Sequence, residues 1–451
     1  MSRAALRPNR LTAHARATLA LAWPVMLARA GMLIMAMVDA AMIGRVSGAG
    51  LAHYGVAMAP FLFFLLTGIG LLIGTVVLVS QAKGEGDLPR CGVIWRLSLI
   101  EATLYAALVT ALLLPGPPVL ALMGQAPGLA AEAGRVLQAL ALGLWPMLLF
   151  TATSLYLEGL GRPRPGMVVM LSANLVNAGL NALFLFGWWG LPEGNAAGAA
   201  LATSLTRYLM AATLVGYVLA LGVPSLPGRG LFHDARHQAM KLVRLGLPVA
   251  GANALESSAF TTMSMFAGWL GTLPAAAYLV CLNFSALVYM LAIGLGTATA
   301  VRVGHAVGRR DAAAVPLAGW TGVGLGLAIM GAIAPLVLAF RAEIAAFYTG
   351  DEAVIALAVP ALALVAALLF ADAAQGILIG ALRGAGDVRI PLGIQVIAYL
   401  GVAIPLGYTL GFTLDLSIQG LIVALFAGLS VAAGLLAWRF VVLVRGPIRA
   451  V

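Results

Sequence analysis

The chain has 451 residues, of which 62% are hydrophobic and only 9% charged. Soluble domains carry about a quarter charged residues, so a water-soluble fold of this size is excluded because it could not cover its surface. The formal net charge is +10, but the basic residues lie between long apolar runs, and this removes nucleic acid as a partner.

The basic segment Met1 to Arg16 has no small-residue cleavage site before the first apolar run. The first span is therefore expected to stay in the mature protein. That span lies before residue 45 and is interrupted by Arg29 and Asp39. Charge-free runs follow at 46–82, 102–131, 136–157, 165–192, 208–228, 257–301, 312–340, 353–371, 390–414 and 416–438. A spanning helix needs roughly 20 apolar residues, and nearly every run supplies them. Run 257–301 holds 45 residues and should form most of two helices. The expected total is about twelve transmembrane helices. Strands of about ten residues with alternating polarity are absent, and the 54 glycines suit close helix packing in lipid. Cys91 and Cys281 make neither a disulfide framework nor a zinc spacing.

With the N-terminus inside and sides alternating through twelve spans, 21 of the 26 Lys and Arg residues fall on the cytoplasmic face. Arg29, Arg45, Arg135, Arg207 and Arg341 are the remainder. This positive-inside bias places both termini in the cytoplasm of a multi-pass plasma (inner) membrane protein.

The longest polar connection lies mid-chain and suggests a duplication. A shift of 224 residues brings Pro24 onto Pro248, Gly44 onto Gly268, Gly70 onto Gly294 and Asp87 onto Asp311. One residue later in register, Gly159, Gly161 and Arg164 fall on Gly384, Gly386 and Arg389. The expected domains are an N-terminal six-helix lobe at 1–222, a cytoplasmic linker at 223–244 and a C-terminal six-helix lobe at 245–451. An even span count per half gives parallel lobes, related by a pseudo-twofold axis along the membrane normal. Rocking of two such lobes provides alternating access. Glycine-rich packing inside the lobes accommodates a monomer.

An ionised side chain at mid-bilayer costs about 2.5–3.5 kcal/mol on insertion scales, so acids within spans are functional candidates. There are four: Asp39, Glu101, Glu256 and Asp372. Glu256 sits mid-span with Asn253 and Ser257 on the same helix side, and with Thr261 and Thr262 nearby. A carboxylate with amide and hydroxyl oxygens suits a hard cation such as Na⁺, and a desolvated carboxyl can equally hold a proton. Asp372 has Gln375 three residues on and can play either role. Asp39 lies toward the outer part of span one. Asn174, Asn177 and Asn181 form a polar ladder for cavity lining or interhelical packing. Glu101 is expected to pair with Arg96 or Arg207, and Arg29 to face a cavity or snorkel. No Walker A sequence, His/Cys metal cluster or dinucleotide motif is present, so neither catalysis nor an organic cofactor is expected. If the protein is sodium-coupled, Glu256 and Asp372 are the metal ligands. The acids do not follow the repeat: Asp39 maps onto Met263 and Glu256 onto Met32.

Trp23-Pro-Val-Met26, Val38-Asp39 through Gly44, Gly159-Leu-Gly161, Leu180-Asn181 through Gly187, and Leu382-Arg383-Gly384-Ala-Gly386-Asp387 together resemble the multidrug and toxic compound extrusion family. Glu256 and Asp372 are similar to the acidic pair of its NorM-like branch, and Asp39 matches its first-lobe acid. Leu368 stands where that branch often has tyrosine, and Asn181 where another branch has aspartate. The resemblance implies exchange of Na⁺ or H⁺ for small amphipathic, often cationic, organic compounds. Two other readings are a lipid-linked oligosaccharide flippase of the same superfamily and a membrane-embedded transferase. The excess of intramembrane acids over arginines weighs against the first, and the missing nucleotide and metal motifs weigh against the second.

Overall fold

A computed structural model describes residues 8–185, 196–222, 231–447 and 450. Arg3, Arg7, Gly187, Arg229, Arg449 and residues 223–230 of the expected linker lie outside them. The described residues are helical, with no strand. In chain order they form α1 (Pro8–Val46), α2 (Gly48–Glu85), α3 (Leu88–Leu113), α4 (Gly116–Leu122), α5 (Pro127–Leu142), α6 (Leu144–Gly159), α7 (Arg164–Leu185) and α8 (Ala196–Ala220). The second series is α9 (Leu231–Trp269), α10 (Thr272–Gly308), α11 (Ala314–Ala339), α12 (Arg341–Tyr348), α13 (Glu352–Gly384), α14 (Arg389–Val396), α15 (Ile404–Tyr408) and α16 (Ser417–Arg445).

The series repeat in length. α1 and α9 have 39 residues each, and α3 and α11 have 26 each. The continuous helix Glu352–Gly384 corresponds to the pair α5–α6, which spans Pro127–Gly159; both cover 33 residues. Residues 231–244, expected within the linker, are the first turns of α9. Their charges are carried on a helix long enough to extend past the bilayer.

Among the described residues, ten helical segments are long and apolar enough to cross a membrane. The long helices α8 and α9 are not among the ten. α8 carries Arg207 with Thr203, Ser204 and Thr206, and α9 carries Glu256 among serines and threonines. These two polar helices both bear residues of the sites described below. On α3, Ile100, Leu104, Leu108 and Leu112 recur every fourth residue and are 52–71% exposed. Such a continuous apolar stripe fits lipid, whereas in water it would drive association. The protein is thus an all-α polytopic membrane protein.

By packing, the chain forms one unit from Leu27–Ala250 and another from Met1–Met26 with Gly251–Val451. These units and the halves of the repeat are different divisions. The first turns of α1 belong with the second half of the chain, and the first turns of α9 with the first half. Each crossover falls two residues after a proline within the helix, Pro24 and Pro248. Proline removes a helical hydrogen bond and bends the axis, so one helix can join two units.

The repeated Gly-x-Gly pairs have distinct tasks at each position. A Cβ on Gly384 would collide with the carbonyl oxygen of Ala300, and one on Gly159 would lie 2.8 Å from Val79 Cγ1. The second glycines, Gly161 and Gly386, adopt φ of 73° and 83°, which suits glycine. They end α6 and α13 with the same backbone bonds: Arg162 N–H donates to Leu157 O at 2.8 Å and Asp387 N–H to Leu382 O at 2.9 Å.

Candidate cation sites

In the Leu27–Ala250 unit, Asp39 projects from α1 and is 1% exposed. Asn181 Nδ2 from α7 donates to its Oδ1 at 2.6 Å, and Thr203 Oγ1 from α8 donates to its Oδ2 at 2.8 Å. The Tyr54 hydroxyl lies 3.5 Å from the same Oδ2. Asn177 ties the cluster together, accepting from Asn181 at 3.2 Å and donating to Thr203 at 3.2 Å. Asn177 and Asn181 sit one helical turn apart on α7, as their spacing requires. Arg207, one turn beyond Thr203 on α8, acts electrostatically on Asp39 and Tyr54. Its guanidinium carbon lies 4.9 Å from the centre of the Phe61 ring. Asp39 therefore has neutral hydrogen-bond partners and one opposing charge.

In the other unit, Glu256 on α9 is half-buried. Its carboxylate accepts hydrogen bonds from the hydroxyls of Tyr289 on α10 and Tyr399. Asp372 on α13 is 5% exposed and interacts electrostatically with Glu256. Gln375 Nε2, one turn further along α13, donates to the Tyr399 hydroxyl at 3.2 Å. Arg383, in the last turn of α13, acts electrostatically on Glu256 and Tyr289. With both carboxylates ionised, this group carries one net negative charge. Tyr399 lies in a π-helical segment, Ile397–Ala403. Pro405 lacks the N–H that Gly401 would otherwise receive, which accounts for the loosened helix there. The phenols thus come from α10 and the π segment, while Leu368 is packed in the core at 4% exposure.

The structure corrects several expectations. Glu101 pairs with neither Arg96 nor Arg207; both of its carboxylate oxygens are buried without a hydrogen-bond partner. Arg29 forms an ion pair with Glu158, Nη2 to Oε1 at 3.6 Å, and Ser154 donates to the same oxygen at 3.1 Å. Glu158 lies near the end of α6, which hid it among helix-end acids, yet it is 3% exposed. Asn174 stands apart from the Asp39 cluster and donates to its own helix at Met170 O, 2.9 Å away. Asn253 and Ser257 are half-buried on the same helix as Glu256, and the two tyrosines add hydroxyl donors from other segments. Thr261 and Thr262 hydroxyls donate to carbonyls four residues back. Arg383, at the end of α13, acts electrostatically on Glu256, a role the sequence does not suggest.

The MatE family profile matches the chain twice, over residues 24–183 and 248–409. The two matches begin on Pro24 and Pro248, the 224-residue offset of the internal repeat. The "Probable multidrug resistance protein NorM" of Caulobacter vibrioides is 35% identical over 433 residues, covering 94% of this chain and 90% of its own. The "Multidrug resistance protein PmpM" of Pseudomonas aeruginosa is 34% identical over 411 residues, covering 90% and 86%. The eukaryotic MATE transporter AtDTX14 superposes with a TM-score of 0.86 at 20% identity, over 96% of each chain, and so shares the fold. The chain belongs to the MatE family, as a NorM-like transporter and not an enzyme.

Proposed function

We propose that the protein is a secondary multidrug exporter of the inner membrane, with both termini cytoplasmic. It exchanges Na⁺ or H⁺ for amphipathic, often cationic, organic compounds by alternating access, and works as a monomer. The observation that carries this reading is the Glu256–Asp372 pair, in which Arg383 opposes the charge of Glu256 and Asp372 faces Glu256. Two carboxylates at close quarters in a poorly solvated site do not both stay ionised without a compensating cation. One monovalent cation neutralises the group. A proton satisfies the need by binding one carboxyl; Na⁺ satisfies it by drawing oxygens from Glu256, Asp372 and the two phenols, which are the hard donors it prefers.

Coupling follows when cation and drug each favour a different conformation, because a ligand shifts an equilibrium only by its differential affinity. Asp39 has a subordinate role here, since Arg207 already opposes its charge and three neutral side chains hold it. Multidrug export accords with the names of the NorM and PmpM relatives. The test is ethidium efflux from proteoliposomes with Na⁺ and H⁺ gradients imposed separately. Efflux driven by either gradient supports antiport and names the ion. Gradient-independent behaviour across several cationic dyes would remove the proposal.

A further inference from the structure

A second polar group lies far along α10 from the acidic pair, at the end of the helix where it leaves the apolar run. Arg302 is the first charged residue after the 45-residue charge-free stretch 257–301. Its guanidinium is fixed on α1: Nη1 donates to His14 O at 2.8 Å and to Thr18 Oγ1 at 2.5 Å, and Nη2 contacts His14 Nδ1 at 2.5 Å. Arg302 has no acceptor role to offer, so His14 Nδ1 is the acceptor and its Nε2 carries the proton.

Beside this contact is a half-open cavity of about 200 Å³ lined by α1, α10 and the start of α11. His14, Arg302, His305 and Arg309 line it, together with apolar residues including Leu21 and Ala318. No carboxylate is among the lining residues. The lining thus joins two arginines and two histidines to an apolar wall. The first charge of α10 and the charged turn between α10 and α11 mark the height at which the chain leaves hydrocarbon, where lipid phosphates lie.

We infer that this cavity binds a phosphate-bearing anion, and that its resident is the headgroup of an anionic phospholipid. Arg302, held by α1, and the freely exposed Arg309 face the phosphate oxygens, the histidines supply N–H donors, and Leu21 with Ala318 receives the first carbons of the lipid. Basic pockets between transmembrane helices at the membrane rim recognise such headgroups through charge, and the fork of arginine suits phosphate oxygens. Occupancy would also tie the first turns of α1 to α10 and α11, since all three line the cavity.

The test uses the purified full-length protein in a neutral detergent. Binding of phosphatidylglycerol, phosphatidylcholine and inorganic phosphate is read by native mass spectrometry and by the shift in melting temperature. Retained phosphatidylglycerol, absent phosphatidylcholine and no competition by inorganic phosphate are expected. Competition by inorganic phosphate would keep the anion site and assign it to a soluble source. Arg309→Gln should weaken phosphatidylglycerol binding about fivefold, the equivalent of ~1 kcal/mol for one surface cation. This variant removes an exposed side chain and spares the bonds of Arg302 to α1. Equal retention of phosphatidylcholine and phosphatidylglycerol, or unchanged binding in both Arg309→Gln and Arg302→Gln, would overturn the inference.

Discussion

Asp39 and Glu256 are both carboxylates that accept from neutral hydrogen-bond donors, yet their charge surroundings differ. Asp39 is opposed by Arg207, and Glu158 of the same unit by Arg29. Arg383 acts on Glu256, while the charge that acts on Asp372 is Glu256 itself. The scaffold repeats helix by helix, but the charge balance does not. Apart from Glu101, whose carboxyl has no hydrogen-bond partner, the buried acids of the Leu27–Ala250 unit are matched by arginines, whereas the Glu256–Asp372 pair has a deficit of positive charge. On the proposed function that deficit is what a mobile cation fills.

The sharpest way to break this comparison is Glu256→Gln. Removing the excess charge should abolish cation-driven export and reduce apparent cation affinity about a hundredfold, in line with the ~3 kcal/mol scale of an intramembrane charge. Export assays on protein shown to insert normally check it, and full activity would end the assignment.

The matched pairs should respond in stability instead. Arg29→Ala strands Glu158 and should destabilise the protein by about 3 kcal/mol, the usual result of removing one partner of a buried pair. Melting in detergent measures this, and adding Glu158→Gln should recover much of the loss. If the double variant is no more stable than the single, the pair is not the reason.

Tyr399→Phe removes one hydrogen bond to a carboxylate. Such bonds are worth about 1.5–3 kcal/mol, so apparent cation affinity should shift roughly tenfold while the fold survives. It should fall if the cation is Na⁺, which loses an oxygen donor, and rise if it is H⁺, because the ionised carboxylate loses a stabilising donor. Asp39→Asn should have the smallest effect on cation affinity, less than about fivefold, or ~1 kcal/mol, because the net charge there is already balanced. A larger change than in Tyr399→Phe, seen in the ion dependence of efflux, would invert the ranking of the two units.

Much of this was legible in the sequence. Charge-free runs exposed Asp39, Glu256 and Asp372 because lipid leaves few reasons for a carboxylate. The glycine pairs and Pro24 with Pro248 revealed the repeat, since backbone collisions and helix bends demand particular residues. What stayed hidden was partnership across helices. Tyr289 and Tyr399 read as ordinary aromatics in apolar spans, and Thr203 as one of many hydroxyls. Arg383 read as a loop cation because its place at the end of α13 does not reveal the group on which its charge acts. Glu158 lies near a helix end and gives no signal in the sequence, because burial depends on what packs there. Helical periodicity orders residues along one helix; it does not say which helix comes alongside.

The most direct test is the number of cations held by the purified protein, measured as radiolabelled Na⁺ bound and as protons released when substrate binds. The account predicts one cation assigned to the Glu256–Asp372 group, lost in Glu256→Gln and retained in Asp39→Asn. Retention in Glu256→Gln with loss in Asp39→Asn would contradict it and move the coupling site to the other unit.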